Sequence, residues 1–241
     1  MVGSLFFLTS VATAEEVVSE NIVGYQQRVG RSTFDMVGCV FTPITNSTGS
    51  TLFSKLVTGD FKDGDQAQFL RPTGGYNILV YYVGGLFVPG VGPGQTGWGN
   101  TSGIQTDVNL IAGTAFWMNT DADYFIQAGQ VQIAENNKLT APGGDFFMFS
   151  SPYPADCKLS QIKFTGLKNL DQVQFLRPTG GYNILVYYVG GLFIPGIGPG
   201  QTGWGNTSGI QADADIASGE GFWINAVDEV KVEFPVPAYL F

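Results

Sequence analysis

The sequence contains no histidine, so the side chain that most often serves as general base and transition-metal ligand is missing. Charge is also scarce. Only 13% of residues are Asp, Glu, Lys or Arg, and the formal net charge is −9. Such a chain lacks the basic patch that holds nucleic acid or an anionic membrane surface, and neither is expected as a partner. Cys39 and Cys157 are the only cysteines. In an oxidising compartment a bridge between them would add about 2–4 kcal/mol; two unpaired thiols are the alternative. No apolar run is long enough to span a bilayer as a helix.

The chemistry-bearing patterns are equally thin. Gly92-x-Gly94-x-x-Gly97 and its twin at Gly198, Gly200 and Gly203 match a dinucleotide fingerprint in letters only. No helical pattern follows, Pro93 and Pro199 interrupt, and no βαβ unit surrounds them, so no cofactor is expected. Asp63-Gly-Asp65, Asp121-x-Asp123 and Asp213-x-Asp215 do not continue into a calcium loop and read as solvated turn carboxylates, with no metal assigned. No carboxylate pair, serine elbow or Cys–His pairing stands out. Hence no catalytic residue is named and the chain is not expected to be an enzyme.

What the sequence does have is a repeat. Residues 68–105 return as 174–211 with 36 of 38 positions identical, the exceptions being Val88 against Ile194 and Val91 against Ile197. The spacing of 106 residues is domain-sized and predicts two tandem copies of one domain. The flanks have drifted: Phe34 to Pro43 aligns only loosely with Asp145 to Pro154, placing Cys39 opposite Ser150. The stretch Pro43 to Asp65 is five residues longer than Pro154 to Asp171.

Abundant glycine, aromatic and β-branched residues with almost no helical period predict an all-β fold: two homologous β-sandwich or partly open β-barrel domains. The expected boundaries are 21–128 and 129–241. Residues 1–14, an apolar run ending in Ala12-Thr-Ala14, read as a secretory signal peptide; a retained N-terminal strand is the competing reading. Strands are expected at Ile22 to Gln27, Phe34 to Phe41, Gln66 to Leu70, Tyr76 to Val83 and Phe116 to Asn119. Leu52 to Leu56 reads as one helical turn. Arg71 to Gly75 forms a turn, Gly84-Gly85 reverses the chain, and Tyr76 to Val83 is buried on both faces. Pro89 to Gly99 reads as a flexible surface loop.

The frame Phe34-x-Met-Val-Gly, then Asp65-x-x-Gln68, Gly75-Tyr76 and Gly113-x-x-Phe116-Trp117, carries a resemblance. It resembles secreted tandem β-domain proteins of planctomycete- and verrucomicrobia-type bacteria, with "GFNLVGNP", "GxGY" and "PGQGFWI" segments. Gly219-Glu-Gly-Phe-Trp-Ile224 fits best. Phe69 and Phe175 depart from a common Trp, and Ala115 from the glycine before Phe116. The resemblance spans nearly the whole mature chain. Its motifs are short and made of turn and core residues, so it implies fold and an extracellular or cell-envelope location, and no activity.

Function is therefore expected from surfaces. Trp98 and Trp204 sit in the glycine-rich segments, with Tyr76, Tyr82, Tyr182 and Tyr188 near in sequence. If exposed, they would anchor a partner or stack on sugars; if not, each Trp is a lid over its own core. Two near-identical faces on one chain point to a secreted, non-enzymatic structural protein that self-assembles in a surface layer, filament or matrix. Its partners would be copies of itself or other cell-surface protein or glycan. A carbohydrate-binding module using the loop Trp and Tyr residues is the second reading.

Overall fold

The computed structural model describes residues 23–42, 52–132 and 137–240, so the expected signal peptide lies outside the described residues. The first half contains β1 (Val23–Val29), β2 (Asp35–Gly38), β3 (Phe41–Thr42), a single helical turn α1 (Phe53–Leu56), and β4 (Val57–Gly59). It continues with β5 (Gln66–Leu70), β6 (Tyr76–Val88), β7 (Gly92–Gly99), β8 (Ala115–Asn119) and β9 (Tyr124–Val131). Five strands form an antiparallel sheet in the order β2-β8-β5-β6-β7. A second sheet, β1-β9-β3 with β4 also on β9, covers one face of it.

Strand alternation decides which face is covered. Along β5, Ala67 and Phe69 are buried while Gln66, Gln68 and Leu70 are not. The inward set joins Phe53, Leu56, Phe116, Met118 and Phe125 in one core between the two sheets. Burying each large apolar side chain contributes about 1.5–3 kcal/mol, and edge-on rings such as Phe53 and Phe116, 5.5 Å apart, add to it.

The second half repeats the plan with β10 (Lys138–Ala141), β11 (Phe146–Ser150), β12 (Cys157–Lys158), a 3-10 turn (Leu159–Gln161) and β13 (Lys163–Thr165). Then follow β14 (Gln172–Leu176), β15 (Tyr182–Ile194), β16 (Gly198–Gly205), β17 (Asp215–Ile216), β18 (Gly221–Asn225) and β19 (Val230–Glu233). Its large sheet runs β11-β18-β14-β15-β16 and its small one β10-β19-β13, with β12 and β17 paired separately. The fold is all-β. Among the described residues no helix is long and apolar enough to cross a membrane.

Several expectations need correction. The strand expected at Phe34 to Phe41 is broken into β2 and β3. The chain does not reverse at Gly84-Gly85: β6 runs through it, and the ladder to β7 shifts between Tyr82 and Leu86. With Gly84 at φ 72°, the pair makes a bulge, and reversal waits for Pro89–Val91, where Val91 N–H donates to Val88 O. The segment expected as a loop is half of a ribbon. Gly92 to Gly99 is an edge strand, where missing donors and side chains are tolerated. Nor is Tyr76 to Val83 buried on both faces; only Leu79 is fully buried there, because the small sheet covers one side.

The ladder registers correct the alignment of the flanks. Val37 pairs with Phe116, and Phe149 pairs with Phe222, the counterpart of Phe116. Val37 therefore corresponds to Phe149 and Phe34 to Phe146, one residue from the alignment read in sequence, and Cys39 falls opposite Ser151. The extra stretch of the first half is accordingly six residues between Cys39 and Leu52, not five.

The halves meet about a pseudo-twofold axis. Gly38 N–H donates to Gly219 O at 2.7 Å, and the equivalent Ser150 N–H donates to Gly113 O at 2.8 Å. Met36 and Met148, Ala115 and Trp223 form a buried seam, with Trp117, Leu70 and Tyr76 packed on it. The match of side chains at the axis is tight: a Cβ on Gly38 would lie 2.3 Å from Ser150 Cβ, and one on Gly221 would lie 2.7 Å from Ala115 Cβ. Coupling goes further still. Phe41 and Val131 belong to the core of the second half, and the boundary expected at 128/129 falls inside β9.

Candidate functional site

The expected aromatic residues divide into three groups. Trp98 faces inward and is 6% exposed, its ring 5.0 Å from both Phe53 and Phe61 and 5.2 Å from Tyr81. Trp204 is partly buried against Phe164 and Tyr187, at 5.4 and 5.3 Å. Neither indole is an open platform; each is a lid on its own core. Tyr82 and Tyr188 brace the ribbons, each donating its hydroxyl to the carbonyl of Asn100 or Asn206 at 3.0 Å. Tyr76 and Tyr182 alone lie near the seam, where they border an open groove.

Cys39 and Cys157 are free, buried thiols, so of the two readings the sequence left open it is the unpaired one that the structure has. They sit in the cores of different halves. Burial pushes Cys39 up to about 12. It pushes Cys157 up to about 11, helped by the nearby charge of Asp156. Both therefore stay protonated and unreactive at neutral pH. Asp65 is not a solvated turn carboxylate either. It is buried and accepts from Lys62 N, Thr120 Oγ1 and Asp121 N at 2.9, 2.5 and 2.9 Å. Asp171 does the same work for Lys168 N and Val227 N.

Two surfaces remain that sequence reasoning did not single out. The first is duplicated. Phe87 and Ile104 are bridge partners, as are Phe193 and Ile210, and all four are exposed. Val83 and Val91, like Val189 and Ile197, stand out on the same ribbons. The signal was the repeated block itself, read for its Trp and Tyr residues rather than its aliphatic ones.

The second surface is the groove beside the seam, about 440 Å³ in volume. The turn Leu70 to Tyr76 forms one wall, and Trp117, Asp145, Phe146, Gln174, Tyr182 and Trp223 are among the residues facing it. The alternation that turns Phe116 inward turns Trp117 outward, so the Phe-Trp dipeptide serves core and surface at once. Trp117 and Trp223 approach to 6.2 Å between ring centres, with Phe146 5.7 Å from Trp223. Gln174 is held by donating to Gln172 Oε1 at 3.2 Å. Arg71 lies back over its own turn, its guanidinium 2.7 Å from where a Cβ on Gly75 would be.

This arrangement sets aromatic rings beside amide, phenol and guanidinium groups, a lining suited to binding. No family model, curated protein or solved structure matches this chain.

Proposed function

We propose that the chain is a structural subunit of the cell exterior that joins to copies of itself through its two hairpin ribbons. One observation carries this reading: the same apolar side chains stand exposed at the same place in each half. Phe87 and Phe193 are 44% and 43% exposed, and Val91 and Ile197 69% each. Phe87 lies beside the exposed Ile104, and Phe193 beside Ile210; clustered exposed apolar side chains mark interaction sites.

Charge selects the occupant. Copies with net charge −9 repel over most of their surface, yet no charged residue occurs between Arg71 and Asp107 or between Arg177 and Asp213. Ribbon can thus meet ribbon with little like-charge repulsion from the ribbons themselves. The edges of β7 and β16 are irregular, with Pro93 and Pro199 and positive-φ glycines, and resist strand addition. Side chains, not a continued backbone ladder, then make the contact. Each patch is small beside the roughly 1,200–2,000 Å² of a standard interface, so single contacts are weak. Two per chain make open, concentration-dependent growth.

Light scattering and electron microscopy over a concentration series test the proposal. The wild-type chain should form fibres or sheets, the single variants Phe87→Ser and Phe193→Ser should stop at dimers, and the double variant should stay monomeric. A wild-type chain that is monomeric throughout, or a double variant that still polymerises, sinks the idea.

A further inference from the structure

We infer that the groove between the halves is a binding site for a neutral sugar ring, distinct from the ribbons. A pyranose ring has a face of C–H groups and a rim of hydroxyls. The groove has matching parts: Trp117, Phe146 and Tyr182 supply aromatic surface over the buried Trp223, and Gln174, Arg71 and the phenol of Tyr182 supply hydrogen-bonding groups. Its volume of about 440 Å³ lies within the range of small-molecule sites, about 300–1,000 Å³.

Charge and polarity narrow the class. Arg71 and Asp145 face the groove together, so the site itself is close to neutral, while the −9 of the chain disfavours an anion. A purely apolar ligand would cover Gln174 and the arginine without replacing their hydrogen bonds to water, which costs free energy. A polyhydroxylated ring satisfies both kinds of surface. The stacking surface is thus the exposed rings of Phe146 and Tyr182 with the half-buried Trp117, while Trp223 is buried behind them as the floor, its ring 5.7 Å from Phe146.

The molecule contains its own control. Arg177 opens an identical turn, but its half of the seam is built differently and it does not line this groove. The experiment uses the intact chain carrying Phe87→Ser and Phe193→Ser, so that binding is read apart from assembly. Tryptophan fluorescence and NMR shifts are followed on titration with short neutral oligomers of glucose, mannose, xylose and N-acetylglucosamine, and with a proline-rich peptide.

At least one sugar should give a saturable change, weakened about tenfold by Tyr182→Ala or Trp117→Ala. Arg71→Gln should weaken it several-fold, whereas Arg177→Gln should leave it unchanged. Tyr182 is 36% exposed, so its variant tests the site without emptying a core. The inference is overturned if no sugar binds, if binding is indifferent to Tyr182→Ala and Phe146→Ala, or if only the peptide occupies the groove.

Discussion

Two turns of identical sequence, Arg71 to Gly75 and Arg177 to Gly181, enter the seam from opposite sides and meet different surroundings. The first faces Phe146 and Trp223 across a groove of about 440 Å³. Leu176 and Pro178 of the second face Asp35 and Met36 across only about 180 Å³, with Arg28, Arg31 and Glu220 around them. The difference comes from β1. Its Arg28 donates to Gly219 O at 2.6 Å and pairs with Asp35 at 3.3 Å, while Gln26 donates to Ser218 O at 2.7 Å. Identity of a repeated segment therefore specifies a turn, not a site; the neighbouring element decides whether the turn borders an open groove or a filled one.

The comparison breaks most completely at the axis. Gly221→Val would drive a side chain into Met36 Cγ, 2.6 Å from the ideal Cβ, and into Ala115. Overpacking of this kind costs about 1–3 kcal/mol, so urea unfolding should show a clearly lower midpoint and both grooves should be disturbed together.

A smaller change should act on one groove alone. Arg28→Ala removes a charged hydrogen bond and a part-exposed ion pair, at a cost of about 1 kcal/mol. It should leave the groove at Tyr182 intact, which amide-exchange mapping of the two turns would show.

The smallest effect is electrostatic. Burial raises the Glu220 carboxyl above its ordinary value, opposed by the Ala217 N–H and the charge of Arg28. A folded carboxyl raised in this way binds its proton more tightly than the unfolded chain does. Its contribution is thus favourable below the ordinary carboxylate range and is lost as pH rises through the folded value. Glu220→Gln should flatten that part of the stability–pH curve, and an unchanged slope would remove Glu220 from the account.

Much of the architecture was legible because the repeat and the β-forming composition are local properties of the chain. The turn at Arg71 to Gly75 and the helical turn near Phe53 came from residue chemistry alone. Gly84-Gly85 misled because a glycine pair satisfies a bulge as well as a hairpin, and only the register with β7 distinguishes them. The shift of the Phe34 flank was hidden by its few identities, and pairing to Phe116 and Phe222 reveals it. Asp65 looked solvated because its three donors include Thr120 and Asp121, far away in sequence. The groove was least legible of all, since its walls come from both halves and period-two alternation does not say which outward face meets another sheet.

The seam has one more consequence. Where a twofold axis relates two separate, identical chains, each residue on the axis must fit against itself, and any enlargement is made twice in the same space. Here Gly38 sits opposite Ser150, and Ala115 opposite Gly221, so neither contact sets a residue against its own kind. Covalent union of the halves lifts the self-matching requirement: one side can yield volume while the other takes it. The same freedom that lets the axis close tightly lets its two flanks diverge, so a nearly symmetric body can keep an open groove on one flank and a filled one on the other.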